Sequence, residues 1–446
     1  MNDGRVAGRD VLRLAVPALG ALAAEPLYLL VDTALVGHLG ATPLAGLALA
    51  ATILEALLTL ATFLEYGPTG AIARALGAGR REEALDIAAN ATVLAAGVGL
   101  LLTVAAELGA EPLAHLLGGG GDAARAQAVE WLRIAALGAP LVCVTLAGQA
   151  WLRGFQATGT AFVVVLGGNV ASALLSAELI YGAGMGIRGS AIANAVAQGG
   201  SAVVFTVLLR RRGARLRLRA DVLRAQMRTA RDLSARTLAF LVSFSVATGV
   251  AAHLGATVVA GHQVAIQLWG FLALCLDSLA IAAQALVGVE VGAGRRDAAR
   301  ELGWRLVRWS TAVGALLAVA LLLGWDVLPR LFTSDPAVIA QAHRAWILLA
   351  VMQPVAGAVF ALDGILIGAG DTAFLARATT AAGFLVYTPV ALLAGVTGAG
   401  LAGVWVGLTL FVLARLIACV LRLRGDRWWL AAEREVLRGR TAAIPQ

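Results

Sequence analysis

Twelve stretches of this chain are apolar for long enough to cross a lipid bilayer, and nothing else restricts its fold as strongly. A spanning helix needs about 17–25 residues. The runs read at 11–37, 44–73, 86–107, 128–152, 160–181, 187–210, 234–253, 258–290, 303–325, 338–367, 374–396 and 400–422. Hydrophobic residues make up 60% of the chain and charged ones 14%. Soluble domains run at about 45–50% and roughly 25%. Hydrocarbon offers the backbone no water to bond, so only helices and closed barrels span it. Runs of helix length therefore predict an all-α integral membrane protein. The 52 glycines suit helices that must approach closely.

The formal charge is +8, and all of the positive charge is arginine, because the chain has no lysine. The arginines cluster between apolar runs, which points to membrane topology and away from nucleic acid. One side receives Arg5, Arg9 and Arg13, then Arg74, Arg80 and Arg81, then Arg153 and the block from Arg210 to Arg219. It also receives Arg295, Arg296 and Arg300, then Arg377, then Arg422, Arg424 and Arg427. The other side receives little beyond Arg125, Arg188 and Arg330. The positive-inside rule then predicts a multi-pass protein of the plasma membrane with both termini cytoplasmic. The first run carries Glu25 and Asp32, which a cleavable signal peptide would not tolerate. Cys143, Cys275 and Cys419 all fall inside apolar runs and suggest neither a disulfide framework nor a metal site.

The halves echo each other. His38-Leu39-Gly40-Ala41-Thr42 returns as His253-Leu254-Gly255-Ala256-Thr257, and Gly77-Ala78-Gly79-Arg80-Arg81 as Gly292-Ala293-Gly294-Arg295-Arg296. Both matches are 215 residues apart. Six spans per repeat is an even number, so both halves enter the membrane the same way, which makes a parallel pseudo-twofold repeat. The expected division is an amino-terminal six-helix lobe (1–210), a basic cytoplasmic connector resting on anionic lipid (211–233), and a carboxy-terminal six-helix lobe with a short tail (234–446).

Acids inside spans are the first functional candidates, since each costs about 2.5–3.5 kcal/mol at the bilayer centre. Glu25 and Asp32 lie seven residues apart on one helical face, with Tyr28 one turn before Asp32. Burial disfavours the charged form of a carboxyl group, so an acid in a partly dry cavity can exchange a proton in the physiological range. Asn169, Ser172, Ser176 and Glu178 on the fifth span, and Asn194 and Gln198 on the sixth, make those spans unusually polar. Ser172 and Ser176 share a face and can reach Asp32 across a cavity. Gln263 and Asp277 on the eighth span and Asp363 on the tenth are the candidates of the second half. The chain contains no GxxxxGK[ST], HExxH or GxSxG motif, and its five histidines have no metal-ligand spacing. An enzyme is not expected, and neither is a cofactor or a metal.

Leu-Val-Asp32-Thr33-Ala-Leu-Val-Gly37-His-Leu-Gly40, with Pro17 before it, resembles the first helix of the multidrug and toxic compound extrusion (MATE) family. Phe63-Leu64-Glu65-Tyr66-Gly67, Gly261-His262-Gln263 and Leu362-Asp363-Gly364-Ile365 look like its DinF branch, and the resemblance runs from about 10 to 425. It implies twelve helices in two six-helix lobes around a V-shaped central cavity with alternating access. It also implies a transporter that exchanges small organic substrates for protons or sodium; the acids of the spans favour cationic substrates, and a monomer is expected. Asp32 holds the motif position of the coupling aspartate, Pro17 that of a proline where the first helix bends, and Tyr28 that of a cavity tyrosine. Family members often carry Asn and Asp four apart in the fifth helix and Thr in the sixth. Here those positions resemble Ser172, Ser176 and Asn194, so the second acid is missing, which favours protons over sodium. Glu25, Glu178, Gln198, Gln263, Asp277 and Asp363 are the remaining cavity candidates. A flippase for lipid-linked precursors in the same superfamily is the alternative, disfavoured because the in-span charges read as mostly acidic.

Overall fold

The computed structural model describes residues 8–117, 121–215 and 217–442, and among them every regular element is helical. Arg5 of the topology count lies outside the described residues. Contacts divide the chain into two compact units, residues 12–230 and residues 1–11 with 231–446.

The first unit holds α1 (Gly8–Gly37), α2 (Ala41–Thr59), α3 (Phe63–Gly77), α4 (Arg81–Leu117), α5 (Gly121–Leu137), α6 (Ala139–Gly154), α7 (Thr158–Ala177) and α8 (Ile187–Arg211). These eight helices make six spans. Helices α2 and α3 form one, and α5 and α6 form another that is bent by 52°. The bend falls at Gly138 and Pro140, where proline has no N–H to continue the ladder. Helix α1 runs unbroken through Pro17 and Pro26. Pro17 can give no hydrogen bond to the carbonyl four residues back, that of Arg13, and the hydroxyl of Thr158 donates to that oxygen at 3.3 Å.

The second unit holds α9 (Ala220–His253), α10 (Ala256–Gly292), α11 (Arg296–Leu323), α12 (Pro336–Ala369), α13 (Thr372–Ala382), α14 (Thr388–Thr397), α15 (Gly400–Arg424) and α16 (Arg427–Ala442). Helices α13 and α14 join through a π-helical turn at Gly383–Tyr387 into one span, so this unit also has six. Most of the basic connector proves to be the first turns of α9, which begins at Ala220 and runs on unbroken as the seventh span.

The repeat is written into the backbone. Gly40 and Gly255 turn the chain with φ of 118° and 128°, and Gly79 and Gly294 with 72° and 74°. Among the described residues Gln156 (φ 57°) is the non-glycine residue in the left-handed region, and its counterpart 214 residues on is Gly370 (φ 87°). Close packing repeats as well. A Cβ on Gly99 would lie 2.3 Å from Pro140 Cα, and one on Gly314 would lie 2.9 Å from Pro354 Cα. Pro354 nevertheless sits inside an unbroken α12, whereas Pro140 follows a bend.

Helices α10 and α12 touch backbone to backbone. A Cβ on Gly364 would stand 2.1 Å from the Ala280 carbonyl oxygen, and one on Gly368 2.7 Å from that of Gln284. Gly364→Ala is therefore expected to destabilise the unit by about 1–3 kcal/mol, since overpacking must push backbone apart. Gly249→Ala, whose Cβ would meet nothing within 4 Å, is the matched control. Thermal melting in detergent checks the pair, and equal midpoints would refute the packing argument.

Candidate ion-coupling site

In the first unit three helices bring oxygen atoms to one point. Helix α1 places Tyr28 and Asp32 one turn apart, both buried. Helix α7 places Ser172 and Ser176 one turn apart, both buried. Helix α8, starting at Ile187 after left-handed turns at Gly184 and Gly186, offers Ser190 in its first turn. Ser176 Oγ donates to Asp32 Oδ1 at 3.3 Å, and Ser190 Oγ donates to Oδ2 at 2.8 Å. The indole N–H of Trp131 on α5 donates to Ser190 Oγ at 3.3 Å. An indole can only donate, so Ser190 accepts from it and turns its own proton toward Asp32. The Ser172 and Tyr28 hydroxyls are buried in the same cluster, with Tyr28 beside Ser172, Ser176 and Asp32. Asp32 is 4% exposed, and among the described residues no guanidinium pairs with it.

Ser190, not Asn194, thus supplies the sixth-span partner. Asn194 is one turn farther along α8, about 6 Å away in rise, and half-buried. The helix starts so close to Asp32 that its first turn, not its second, faces the carboxylate. Glu25 is exposed, with Asn169 beside it. Glu178 is also exposed and opens a π-helical turn ending at Gly182. Tyr181 in that turn donates its hydroxyl to the Leu35 carbonyl at 2.5 Å and ties it to the end of α1. Gln198 is half-buried on α8. In the second unit Gln263 is exposed and Asp277 half-buried on α10.

Asp363 is not the lone acid that the sequence suggests. Arg236 of α9 donates to its Oδ2 at 2.6 Å, and Arg415 of α15 donates to the same oxygen. Phe240 lies against both guanidiniums, 5.4 Å from Arg236 and 4.9 Å from Arg415. Nearby, Arg422 holds Asp371 through two bonds of 2.6 and 3.1 Å, and Thr372 donates to Asp232 at 3.2 Å. Asp371 sits between α12 and α13, where burial outweighs the Arg422 pair and pushes its carboxyl above the usual carboxylate range. Asp232 itself pairs with Arg231 at 2.8 Å, so Arg236, Arg415 and Arg422 are held by Asp363 and Asp371.

Arg153 is a further correction. It counted as a loop arginine in the topology reading, but α6 buries it at 1% exposure. It bonds Glu65 at 2.8 Å and Gln149 at 3.2 Å. With Arg236 and Arg415 it shows that the spans also carry buried or half-buried arginines, each paired with an acid, which the reading of mostly acidic in-span charges passed over.

A sequence profile of the MatE family matches residues 17–177 and 234–393, one match in each unit. The chain belongs to the MATE family. Members of this family are membrane transporters and not enzymes. The chain is similar to Protein DETOXIFICATION 44, chloroplastic, of Arabidopsis thaliana, with 34% identity over 96% of this chain and 85% of that one. It is also similar to the DNA damage-inducible protein F of Escherichia coli (strain K12), with 30% identity over 90% of this chain and 89% of that one. Among solved structures, a MATE protein crystallised in a bent conformation matches with a TM-score of 0.85 and 20% identity, covering 98% of this chain and 97% of that one. That likeness shows the fold: an all-α, multi-pass membrane protein of twelve spans, six in each unit.

Removing the carboxylate of Asp363 would strand two guanidiniums, one of them fully buried. Asp363→Ala is expected to cost about 3–5 kcal/mol in stability. Asp363→Leu combined with Arg415→Met should recover much of that loss. Melting midpoints of the three proteins in detergent check this, and an unaffected single variant would show that the guanidiniums do not depend on Asp363.

Proposed function

We propose that this MATE protein is a secondary multidrug efflux antiporter of the plasma membrane, with both termini cytoplasmic, in which Asp32 carries the coupling proton. The observation behind this reading is a buried carboxylate whose direct partners are serine hydroxyls and which, among the described residues, has no ion-pair partner. Such a group has two accessible states of different charge, and each can be favoured by a different access state of the protein. A coupling ion shifts a conformational equilibrium only through its differential affinity for the two states. Loading Asp32 with a proton from one side and releasing it to the other supplies that difference. A proton suits the site better than sodium. The cluster contributes a single negative charge, and its two bonded hydroxyls already point their protons at the carboxylate, where a metal ligand would have to turn its lone pair.

Substrate is expected to be a small organic cation that competes with the proton, and the acids Glu25 and Glu178 exposed in the same unit support that preference. The arginine asymmetry of the connecting segments supports the orientation. The expected working form is a monomer.

Ethidium efflux from proteoliposomes under a proton gradient, and separately under a sodium gradient, tests the assignment. The proton gradient alone should drive efflux, and Asp32→Asn should abolish it while leaving the protein inserted. Normal efflux by that variant would sink the role of Asp32. Movement under neither gradient would turn attention to lipid-linked precursors as cargo. Ser190→Ala removes a bond to a charged group worth about 1.5–3 kcal/mol, so it should move the pH of half-maximal efflux by about one unit or more. Ser190→Thr, which keeps the hydroxyl, should restore the original profile.

A further inference from the structure

The segment from the end of α8 to the start of α9 carries a run of exposed arginines that the transport reading leaves unused. Arg210, Arg211, Arg217, Arg224 and Arg228 are all exposed. Among the described residues none of the five takes part in an ion pair, although their neighbours do. Arg219 turns inward to Asp86 at 3.0 Å and Asp221 at 2.7 Å. Arg212 lies over the rings of Trp151 and Phe155. Asp86 of α4 and Asp221 are thus spent on one inward arginine, and the five outward ones have no acidic partner among the described residues.

This face is held rigidly. Asn90 of α4, fully buried, donates to the Arg217 carbonyl at 3.1 Å and accepts from the Arg219 backbone N–H at 3.0 Å. Gln226 donates to the Ile87 carbonyl at 2.8 Å. The backbone that carries the arginines is therefore pinned to α4 on both sides of Ala220. Arg210 and Arg211 form the last turn of one span, and Arg224 and Arg228 share a face of the helix that becomes the next. Leu218 and Met227 stand among them at 68% and 56% exposure.

We propose that this face is a binding site for anionic phospholipid headgroups, with the arginines taking the phosphates and Leu218 and Met227 dipping into the acyl boundary. Arginines carried at the edge of two spans lie where headgroup phosphates are, and a juxtamembrane basic cluster gains about 1 kcal/mol per arginine from an anionic surface. The two large apolar side chains favour lipid over nucleic acid. A solvated polyanion gives them no place to bury, whereas the headgroup–acyl boundary does.

The test is native mass spectrometry of the full chain in detergent, with phosphatidylglycerol or phosphatidylcholine added at equal concentration. Wild type should retain phosphatidylglycerol in clear preference. The triple variant Arg217→Gln, Arg224→Gln, Arg228→Gln should bind it about a hundredfold more weakly, at about fivefold per arginine. Its melting midpoint without lipid should stay unchanged, because the three side chains are exposed. Arg330→Gln, exposed in the turn after α11, should retain lipid as wild type does. Leu218→Ser with Met227→Ser should also weaken retention. Equal retention of the two lipids, or undiminished retention by the triple variant, overturns the proposal. Displacement by glycerol phosphate at the affinity of the lipid would also overturn it, because the apolar pair would then contribute nothing. So would a short RNA that competes with the lipid and binds the serine double variant undiminished.

Discussion

Two backbones in van der Waals contact, α10 against α12 at Gly364 and Gly368, set the terms for the second unit. Lipid tails are as apolar as leucine, so no hydrophobic force gathers helices once they are in the membrane. What holds them is contact itself, and contact is greatest where no side chain intervenes. Gly99 against Pro140 does the same in the first unit. With the helices pressed together there, each remaining polar group meets a fixed set of neighbours and must find its bonds among them.

Asp32 and Asp363 show how much those neighbours decide. Both are aspartates near the end of a long helix, and both are 4% exposed. Asp363 receives two guanidiniums on one oxygen and becomes a joint between α9, α12 and α15. Asp32 receives two hydroxyls, and its charge is left without a counter-charge. A buried carboxylate tied to arginines has little reason to change its protonation. One bonded by serines alone can change it, because the donated hydroxyl bonds steady the anion without the counter-charge that would hold it in that form.

Much of this was legible in the sequence. Apolar runs of spanning length gave the helices, and the repeated His-Leu-Gly and Gly-Ala-Gly-Arg-Arg turns gave the two halves. Asp32, Tyr28, Ser172 and Ser176 followed from spacing on α1 and α7, because helical periodicity fixes which residues share a face. Ser190 was missed because the start of α8, one residue past the turn at Gly186, sets which turn faces Asp32. No periodicity within α8 reveals that. Trp131 was missed for a related reason, since an indole in an apolar run has no visible partner in one dimension. The pairing of Asp363 failed differently. Arg236 and Arg415 lie in full view inside the seventh and twelfth runs, but a topology rule that looks for arginines in loops passes over them. The same rule misplaced Arg153.

The left-handed turn shared by Gln156 and Gly370 separates backbone from side chain. The two corners have the same backbone shape although only one carries the residue that adopts it without strain. Side-chain chemistry shows no such loyalty: the positions matching Asp32 and Ser190 in the second unit are Ala247 and Val404, and the position matching Asp363 in the first is Gln149. The two halves repeat a scaffold and differ in what they carry on it. One half holds an acid bonded to serine hydroxyls and the other an acid tied to two arginines. A substitution tolerated in one copy is therefore no guide to its mirror in the other wherever side chains, and not turns, carry the role.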